Sequence, residues 1–527
     1  MYPEQFFQTI HQKIKPQWRF AFLSAFITGF LVHFYRFANH LLTWDSVYNF
    51  HDSQNTIHLG RCFLSLGCGI SSYYDLQWII GLLSLLYLSL VCVCLTEIFS
   101  LEKKSSIFLL SALTVVFPSV ASTFAYMYTA DGYFLAMLLM TLSVLLTLRY
   151  QKGWLAGLFL TALGYGCYQA YISYTVMLIL TWTVLQLLFQ KQSVKKVLVC
   201  WAHFFLMGGL GTALYLVCNK VLSLLEGVSA SDYNGIASMS LPGGSEFIHA
   251  VQNCIIDFVY FFFGPLDKIN LFKILNAVLL VFLAVMILWL LVHNRLSRGN
   301  AKSRPDDTIY PISFLEKHGR FFMLLLCFAA MPFVCSMIYF LSPDVRYYML
   351  MYTGFSLIYM LPVLLYEYMT SMSSIPYKAM LSWLCTLLTA LTVFNFALID
   401  NISYLYMTTG NAKTFALTGR MVDRIEQLEH FNDAKKLCII GHFEDFDTIS
   451  LNLPPAMAGI RDSYLISEQA HFAAMMDTYF GLSLENCSGE EQKAIRESDD
   501  FQNMGCWPAT DSVQQKGNVI VIKIAGQ

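Results

Sequence analysis

Residues 77–104 read QWIIGLLSLLYLSLVCVCLTEIFSLEKK, an apolar run followed by Lys103 and Lys104. About twenty apolar residues are enough to carry a helix across a bilayer. The same pattern recurs outward in both directions, and the joints between runs alternate in character. Every second joint is basic. Lys13, Lys15 and Arg19 precede the first run, Arg149 and Lys152 follow the fourth, Lys191, Lys195 and Lys196 the sixth, and Arg295, Arg298, Lys302 and Arg304 the eighth. Lys and Arg gathered on one side mark the cytoplasmic face. Candidate spans lie near 19–41, 77–98, 106–127, 132–149, 154–170, 171–189, 197–218, 271–293, 321–341, 346–366 and 379–400, eleven in all. The fold class expected is mainly α: a polytopic helical membrane protein with a cytoplasmic N-terminus and, the count being odd, an extracytoplasmic tail.

Composition agrees. Of 527 residues, 56% are hydrophobic and only 13% charged, with mean hydropathy +0.54. Soluble chains carry about a quarter charged residues. The net charge of −2 is unevenly spread: from residue 407 onward there are 10 Lys and Arg against 17 Asp and Glu, so the body is net positive and the tail acidic. Two domains are expected, 1–400 in the membrane and 401–527 outside it. The tail mixes an amphipathic helix, Thr418–Phe431, with short β-branched strands at Lys436–Gly441 and Asn518–Ile524, which indicates a small α/β domain. The run from Phe247 to Phe263 reads as a helix along the membrane surface. Most of the fourteen cysteines lie in apolar runs as small hydrophobes, and Cys487 and Cys506, in polar sequence, are the candidate disulfide pair. The first run is too long for a cleavable signal peptide and reads as a retained span. No Gly-Lys-Ser/Thr nucleotide loop is present, and no nucleic-acid partner is expected.

The joints opposite the basic ones carry the candidate chemistry. Asp45 follows the first span, Asp52 comes seven residues later, and Asp131 opens the fourth span in Thr129-Ala130-Asp131-Gly132-Tyr133. Carboxylates at one membrane face suit proton abstraction from an acceptor hydroxyl, or a divalent metal, which the sequence does not require. Each alone reads equally as a solvated loop acid, and Asp131 as a helix cap. Arg61, in Leu59-Gly60-Arg61, and Arg346, in Pro343-Asp344-Val345-Arg346, are cations on the side where cations are scarce. A guanidinium fork fits phosphate. The plainer readings are headgroup contact for Arg61 and a salt bridge to Asp344 for Arg346. Tyr168-Gln169-Ala170-Tyr171 sets polar atoms among aromatics at a span end. The spans carry Ser, Thr, Cys and Tyr and no evident ion relay, which weighs against a secondary transporter.

In order and local character these residues resemble the bacterial glucosyltransferase type II family of the GT-C superfamily. The resemblance rests on the acidic loop after span one, Gly60-Arg61, Tyr168-Gln169-Ala170-Tyr171, the long segment around Tyr233-Asn234-Gly235, Arg346 opening a span, and a tail with Trp507-Pro508 before a hydrophobic strand. It covers nearly the whole chain. It implies a GT-C-like fold and a polyprenyl-phosphate sugar donor, with a surface glycan or cell-wall polymer as acceptor outside the bacterial cytoplasmic membrane. It also implies a base in the first outer loop, carried best by Asp45. The family's paired acids are not adjacent here, which leaves Asp45 and Asp52 open as alternatives. Tyr168, Gln169 and Tyr233 are the expected substrate contacts, Arg346 and Arg61 the phosphate contacts. A transporter or flippase of lipid-linked glycans, or a ligase of whole chains, are the competing readings.

Overall fold

The computed structural model describes residues 2–189, 192–231, 243–264, 270–299, 314–343, 345–369, 377–443, 453–454, 457–460, 463–466 and 468–524. Tyr233 and Asp344 lie outside the described residues. The helices are α1 (Pro3–Lys13), α2 (Pro16–Ala38), α3 (Leu64–Cys68), α4 (Gln77–Ile98), α5 (Lys104–Val116), α6 (Pro118–Ala125), α7 (Met127–Arg149), α8 (Gly153–Cys167), α9 (Tyr171–Leu188), α10 (Val194–Glu226), α11 (Gly244–Phe263), α12 (Leu271–Gly299), α13 (Phe314–Cys335), α14 (Ser356–Met369), α15 (Lys378–Glu426), α16 (Gln469–Phe480), α17 (Gly489–Glu497) and α18 (Asp499–Asn503). Among the described residues, eleven helical stretches are long and apolar enough to cross a bilayer, so the protein is a multi-pass membrane protein. The chain forms two compact units. One comprises Met1–Phe37, Ser53–Asp400 and Asn452–Met457, the other Ala38–Asp52, Asn401–Leu451 and Ala458–Gln527.

The first unit is a helical bundle whose surface is apolar. Leu23, Ile27 and Leu31 on α2, and Leu384, Leu387 and Leu391 on α15, form exposed stripes at helical spacing. Water would penalise such stripes, whereas lipid tails match them. Several hydroxyls inside the bundle are satisfied locally. Ser89, Thr114, Thr141 and Thr175 each donate to the carbonyl four residues back, at 2.7–2.8 Å. That removes the cost of an unpaired polar group in an apolar medium. At one end of α7, Arg149 meets Glu97 at 3.3 Å, and Lys15 meets the same carboxylate at 2.8 Å. Lys103 pairs with Glu367 at 3.5 Å. The basic joints are thereby tied to helix ends.

The set of long helices differs from the sequence reading in two places. The stretch 154–170 reads as a full span, yet α8 has 15 residues. It stops because Tyr168 turns extended, φ −158° and ψ 106°. Conversely, α11 is long and apolar enough to span. Its Phe261 and Phe262 are buried, packed on Phe355 at 4.5 Å and Tyr359 at 5.8 Å between ring centres. Two adjacent phenylalanines bury enough apolar area to pack that end of the helix on the bundle.

The second unit holds a four-stranded sheet: β1 (Lys436–Ile440), β2 (Glu485–Asn486), β3 (Val513–Lys516) and β4 (Val519–Lys523), in the order β2-β1-β4-β3. β1 is parallel to β2 and β4, and β3 is antiparallel to β4. Alternation decides the layers. Leu437, Ile439, Ile520 and Ile522 face one core with Leu417, Met421 and Ile425 of α15 and Phe472 and Met476 of α16. Cys438, Ile440 and Val521 face another with Phe501 and Met504. The loop after α2 joins this unit through Asn411, whose side chain accepts from the Leu42 amide at 2.9 Å and donates to the Leu42 carbonyl at 3.1 Å. Cys487 is buried and Cys506 exposed, and no bond joins the two.

Candidate functional site

In the first unit, the site is built on a tight turn. Thr56 and Arg61 form an isolated antiparallel bridge, and the Gly60 amide donates to Ile57 at 2.8 Å. Gly60 closes the turn at φ +72°, where a side chain is strained. The turn's carbonyls need donors, since buried backbone groups are rarely left unpaired. Gln169 donates to Leu59 at 3.0 Å and Tyr215 to Gly60 at 2.9 Å. Gln169 also donates to the Tyr215 hydroxyl at 3.0 Å. This explains a glutamine at the junction of α8 and α9: it is the clasp of the turn.

Arg61 is aimed by aromatics. Its Nη1 donates to the Tyr133 hydroxyl at 2.8 Å. The rings of Tyr133 and Tyr168 stack 4.1 Å apart, with the guanidinium carbon 5.6 Å from each centre. The two rings and the Tyr133 hydroxyl orient the guanidinium. Tyr168 in turn meets Tyr171 edge-on at 5.3 Å.

Asp131 is fully buried at the start of α7. α3 reaches it because two glycines permit close approach: a Cβ on Gly67 would lie 3.0 Å from the Gly132 Cα, and one on Gly132 would lie 2.6 Å from Leu64. Asp131 Oδ1 accepts from the Gly132 amide at 2.8 Å, and no hydrogen bond reaches Oδ2 among the described residues. Ser71 spends its proton on the Cys68 carbonyl at 3.0 Å. Burial, and then the Asp131 carboxylate, raise the Cys68 thiol well above its ordinary value.

Arg346 is exposed in the segment between Phe340 and Met349, its guanidinium 5.3 Å from the Tyr348 ring. A group that sequence reasoning missed braces that segment. Asp257 of α11 accepts from Tyr339 at 2.8 Å and from Tyr352 at 2.9 Å, one residue on each side of it. Asn253 donates to the Pro343 carbonyl at 2.9 Å. Asp257 stands alone in an apolar run, and that isolation was the signal. Two more buried charges were passed over. Arg36 donates to the Phe124 carbonyl at 2.8 Å and to Gln77, and Asp400 is fully buried within α15.

Asp45 and Asp52 belong to the second unit. Asp45 is half-buried in a single turn, Asp45–Val47, and its carbonyl accepts from Asn49 at 2.8 Å. Partial burial, then Glu468 and Asp45, raise the Tyr48 phenol. The Tyr48 ring lies 5.2 Å from His471. Asp52 is exposed. Among the described residues, no three His, Cys, Asp or Glu side chains gather as a metal cluster.

An apolar bundle with charged and aromatic side chains concentrated at helix ends is the build of a membrane-embedded protein that handles a polar group beside lipid. More narrowly, the profile of the family described as glucosyl transferase GtrII matches residues 34–396, and the chain belongs to that family of glucosyltransferases. Comparison with curated proteins and with solved structures gave no match. The matched stretch contains Asp45, Asp52, Arg61, Asp131, Asp257 and Arg346.

Proposed function

We propose that this chain transfers glucose from a polyprenyl-phosphate donor to a surface polysaccharide or cell-wall polymer at the outer face of the bacterial cytoplasmic membrane. Family membership supports the glucosyl group. The observation that carries the donor is Arg61, fixed against Tyr133 and Tyr168 at a bundle end whose flanks are apolar. A polyprenyl tail matches the lipid-facing stripes, and its phosphate then lies at the level of helix ends. Lys15 and Arg149, gathered on Glu97 at the far end of α7, support an inward basic end and an outward site.

The reaction follows from the leaving group. An acceptor hydroxyl oxygen bonds to the sugar's C1, its proton passes to a carboxylate, and the bond from C1 to the phosphate oxygen breaks. Polyprenyl phosphate leaves as an anion, so a fixed cation lowers the barrier and no general acid is needed. Asp45 is the base assigned first. It is half-buried, whereas Asp52 is exposed and Asp131 fully covered. Arg346 is the second phosphate contact.

The test is transfer of labelled glucose from synthetic polyprenyl-phosphate glucose to cell-wall polymers in proteoliposomes. The expected result is label in the polymer. Asp45→Asn is expected to lower turnover by about 10²–10⁴-fold with donor binding retained. Near-normal turnover in Asp45→Asn, with loss in Asp52→Asn or Asp131→Asn, reassigns the base. Movement of donor across the bilayer without transfer would replace the enzyme by a flippase. Chelating divalent metals in the same assay reports whether the acids also hold a cation.

A further inference from the structure

In the second unit, β1 and β2 place Lys436 opposite Glu485 and Leu437 opposite Asn486. The next residues along each chain are Cys438 and Cys487. The ladder reaches them, since the Cys487 amide donates to the Leu437 carbonyl at 3.0 Å. One step further it stops, because Gln469 is inserted: its Oε1 accepts from the Ile439 amide at 3.0 Å and its Nε2 donates to the Cys487 carbonyl at 3.2 Å. Cys438 and Cys487 are thus the last opposed pair before the strands part. Opposed residues of parallel strands point to the same face, and both cysteines lie in one small core with Ile440, Phe501, Met504 and Val521. Neighbouring strands lie roughly 4.8 Å apart, inside the roughly 4.4–6.8 Å between the α-carbons of bonded cysteines.

We propose that Cys438 and Cys487 form a disulfide by thiol–disulfide exchange with a disulfide-bearing oxidant as this unit folds. One protein thiolate attacks the oxidant's disulfide and releases one of its sulfurs as a thiol. The second protein thiolate then attacks the protein sulfur of that mixed disulfide and releases the other. Two protons and two electrons pass to the oxidant, which leaves as two thiols. Burial pushes the Cys438 thiol up to about 12 and raises that of Cys487. Only thiolates react, so exchange precedes closure of the core over the pair. The bond ties a two-residue edge strand to the sheet and closes the long connection that includes α16. Its occurrence in cells rests on the outward placement of this unit; the pairing itself does not.

The full-length protein is extracted from membranes with N-ethylmaleimide present and digested without reduction. The expected product is the Cys438 peptide joined to the Cys487 peptide, lost on adding dithiothreitol, with Cys506 alkylated. In a second arm, reduced full-length protein in detergent is refolded with oxidised glutathione. Linkage in the second arm alone upholds the pairing and overturns the outward placement. No linkage in either arm, or linkage of Cys487 to Cys506, overturns the proposal. Cys487→Ser adds a readout that packing alone would not give: a lowered melting temperature only when reductant is absent.

Discussion

The turn from Thr56 to Arg61 and the segment between Phe340 and Met349 each present one arginine, and they hold it in opposite ways. Arg61 donates to Tyr133 and lies against two stacked rings, on a turn whose carbonyls are capped by Gln169 and Tyr215. Arg346 is exposed beside one ring, and no hydrogen bond or ion pair reaches it among the described residues. Its segment is braced, but from beneath, by Asp257. A cation ordered in advance spends little on being ordered again when an anion arrives, whereas a free arginine gives up about 2 kcal/mol of rotamer freedom. If both bind the proposed donor phosphate, Arg61 is the anchor and Arg346 the adaptable contact.

The largest effect expected from this contrast is at Arg61. Hydrogen bonds to charged groups contribute about 1.5–3 kcal/mol, so Arg61→Ala is expected to weaken binding of polyprenyl-phosphate glucose by roughly 10–150-fold. Arg61→Lys is expected to recover little, because an ammonium cannot lie flat against the Tyr133 and Tyr168 rings. Titration of the donor against the three proteins in detergent decides it. Full recovery by lysine would mean that the stacked rings do not set the anchor.

Next comes the turn itself. A Cβ on Gly60 would meet Gln169 and lie 2.7 Å from the Tyr215 hydroxyl, at φ +72°. Left-handed backbone costs an L-residue roughly 1–2 kcal/mol, and displacing the two caps adds to it. Gly60→Ala is expected to lower thermal stability by a few degrees and to weaken donor binding by roughly ten-fold, less than Arg61→Ala. Gly227 is the control, with φ +66° and nothing within 4 Å of a Cβ. Gly227→Ala carries the strain without the collision. If both variants bind donor as the parent does, the turn does not position Arg61.

A smaller effect is expected at Arg346. An exposed charge contact contributes up to about 1 kcal/mol, so Arg346→Ala is expected to weaken donor binding by about five-fold, with Arg346→Lys between alanine and the parent. Equal affinities in all three would leave Arg346 as an interfacial anchor.

Much of the architecture was legible because the bilayer leaves few choices. Apolar runs of about twenty residues, like 77–98, have no other use in a chain this poor in charge. The strand cores were legible from β-branched runs such as Val519–Lys523. What escaped depended on distant partners. The loop Ala38–Asp52 gives no local sign that it belongs with the C-terminal residues, because the tie is Asn411, 369 positions from Leu42. Phe247 to Phe263 has an amphipathic pattern that fits a surface helix, and only the rings packed on Phe261 and Phe262 show where its end lies. Of the candidate site, Arg61, Tyr168 and Gln169 stood out as polar groups against local expectation, and the structure brings them to one junction. Tyr133 did not stand out, since a tyrosine at a span end is ordinary. Asp257 showed by its isolation in an apolar run, but its partners, 82 and 95 positions away, did not.

Asp257 gives the smallest effect and the sharpest check on the contrast. Its carboxylate holds Tyr339 and Tyr352, which bracket the segment that carries Arg346. If this is a brace, what matters is an acceptor oxygen at that point and not the charge. Asp257→Asn keeps one such oxygen, and hydrogen bonds to a neutral acceptor are roughly half as strong as charge-assisted ones. The expected outcome is about a two-fold loss of donor affinity, unchanged turnover at saturating donor, and a slight drop in melting temperature. Asp257→Leu removes the acceptor and strands two tyrosine hydroxyls, each at about 1–3 kcal/mol. It is expected to lower melting temperature clearly and to reduce affinity as far as Arg346→Ala does. The order parent, asparagine, leucine is the signature of a brace. Loss of turnover in Asp257→Asn with stability intact would break it, because only an acid that takes part in the transfer needs its charge. The segment around Arg346 would then be the reacting end, and Arg61 the remote anchor.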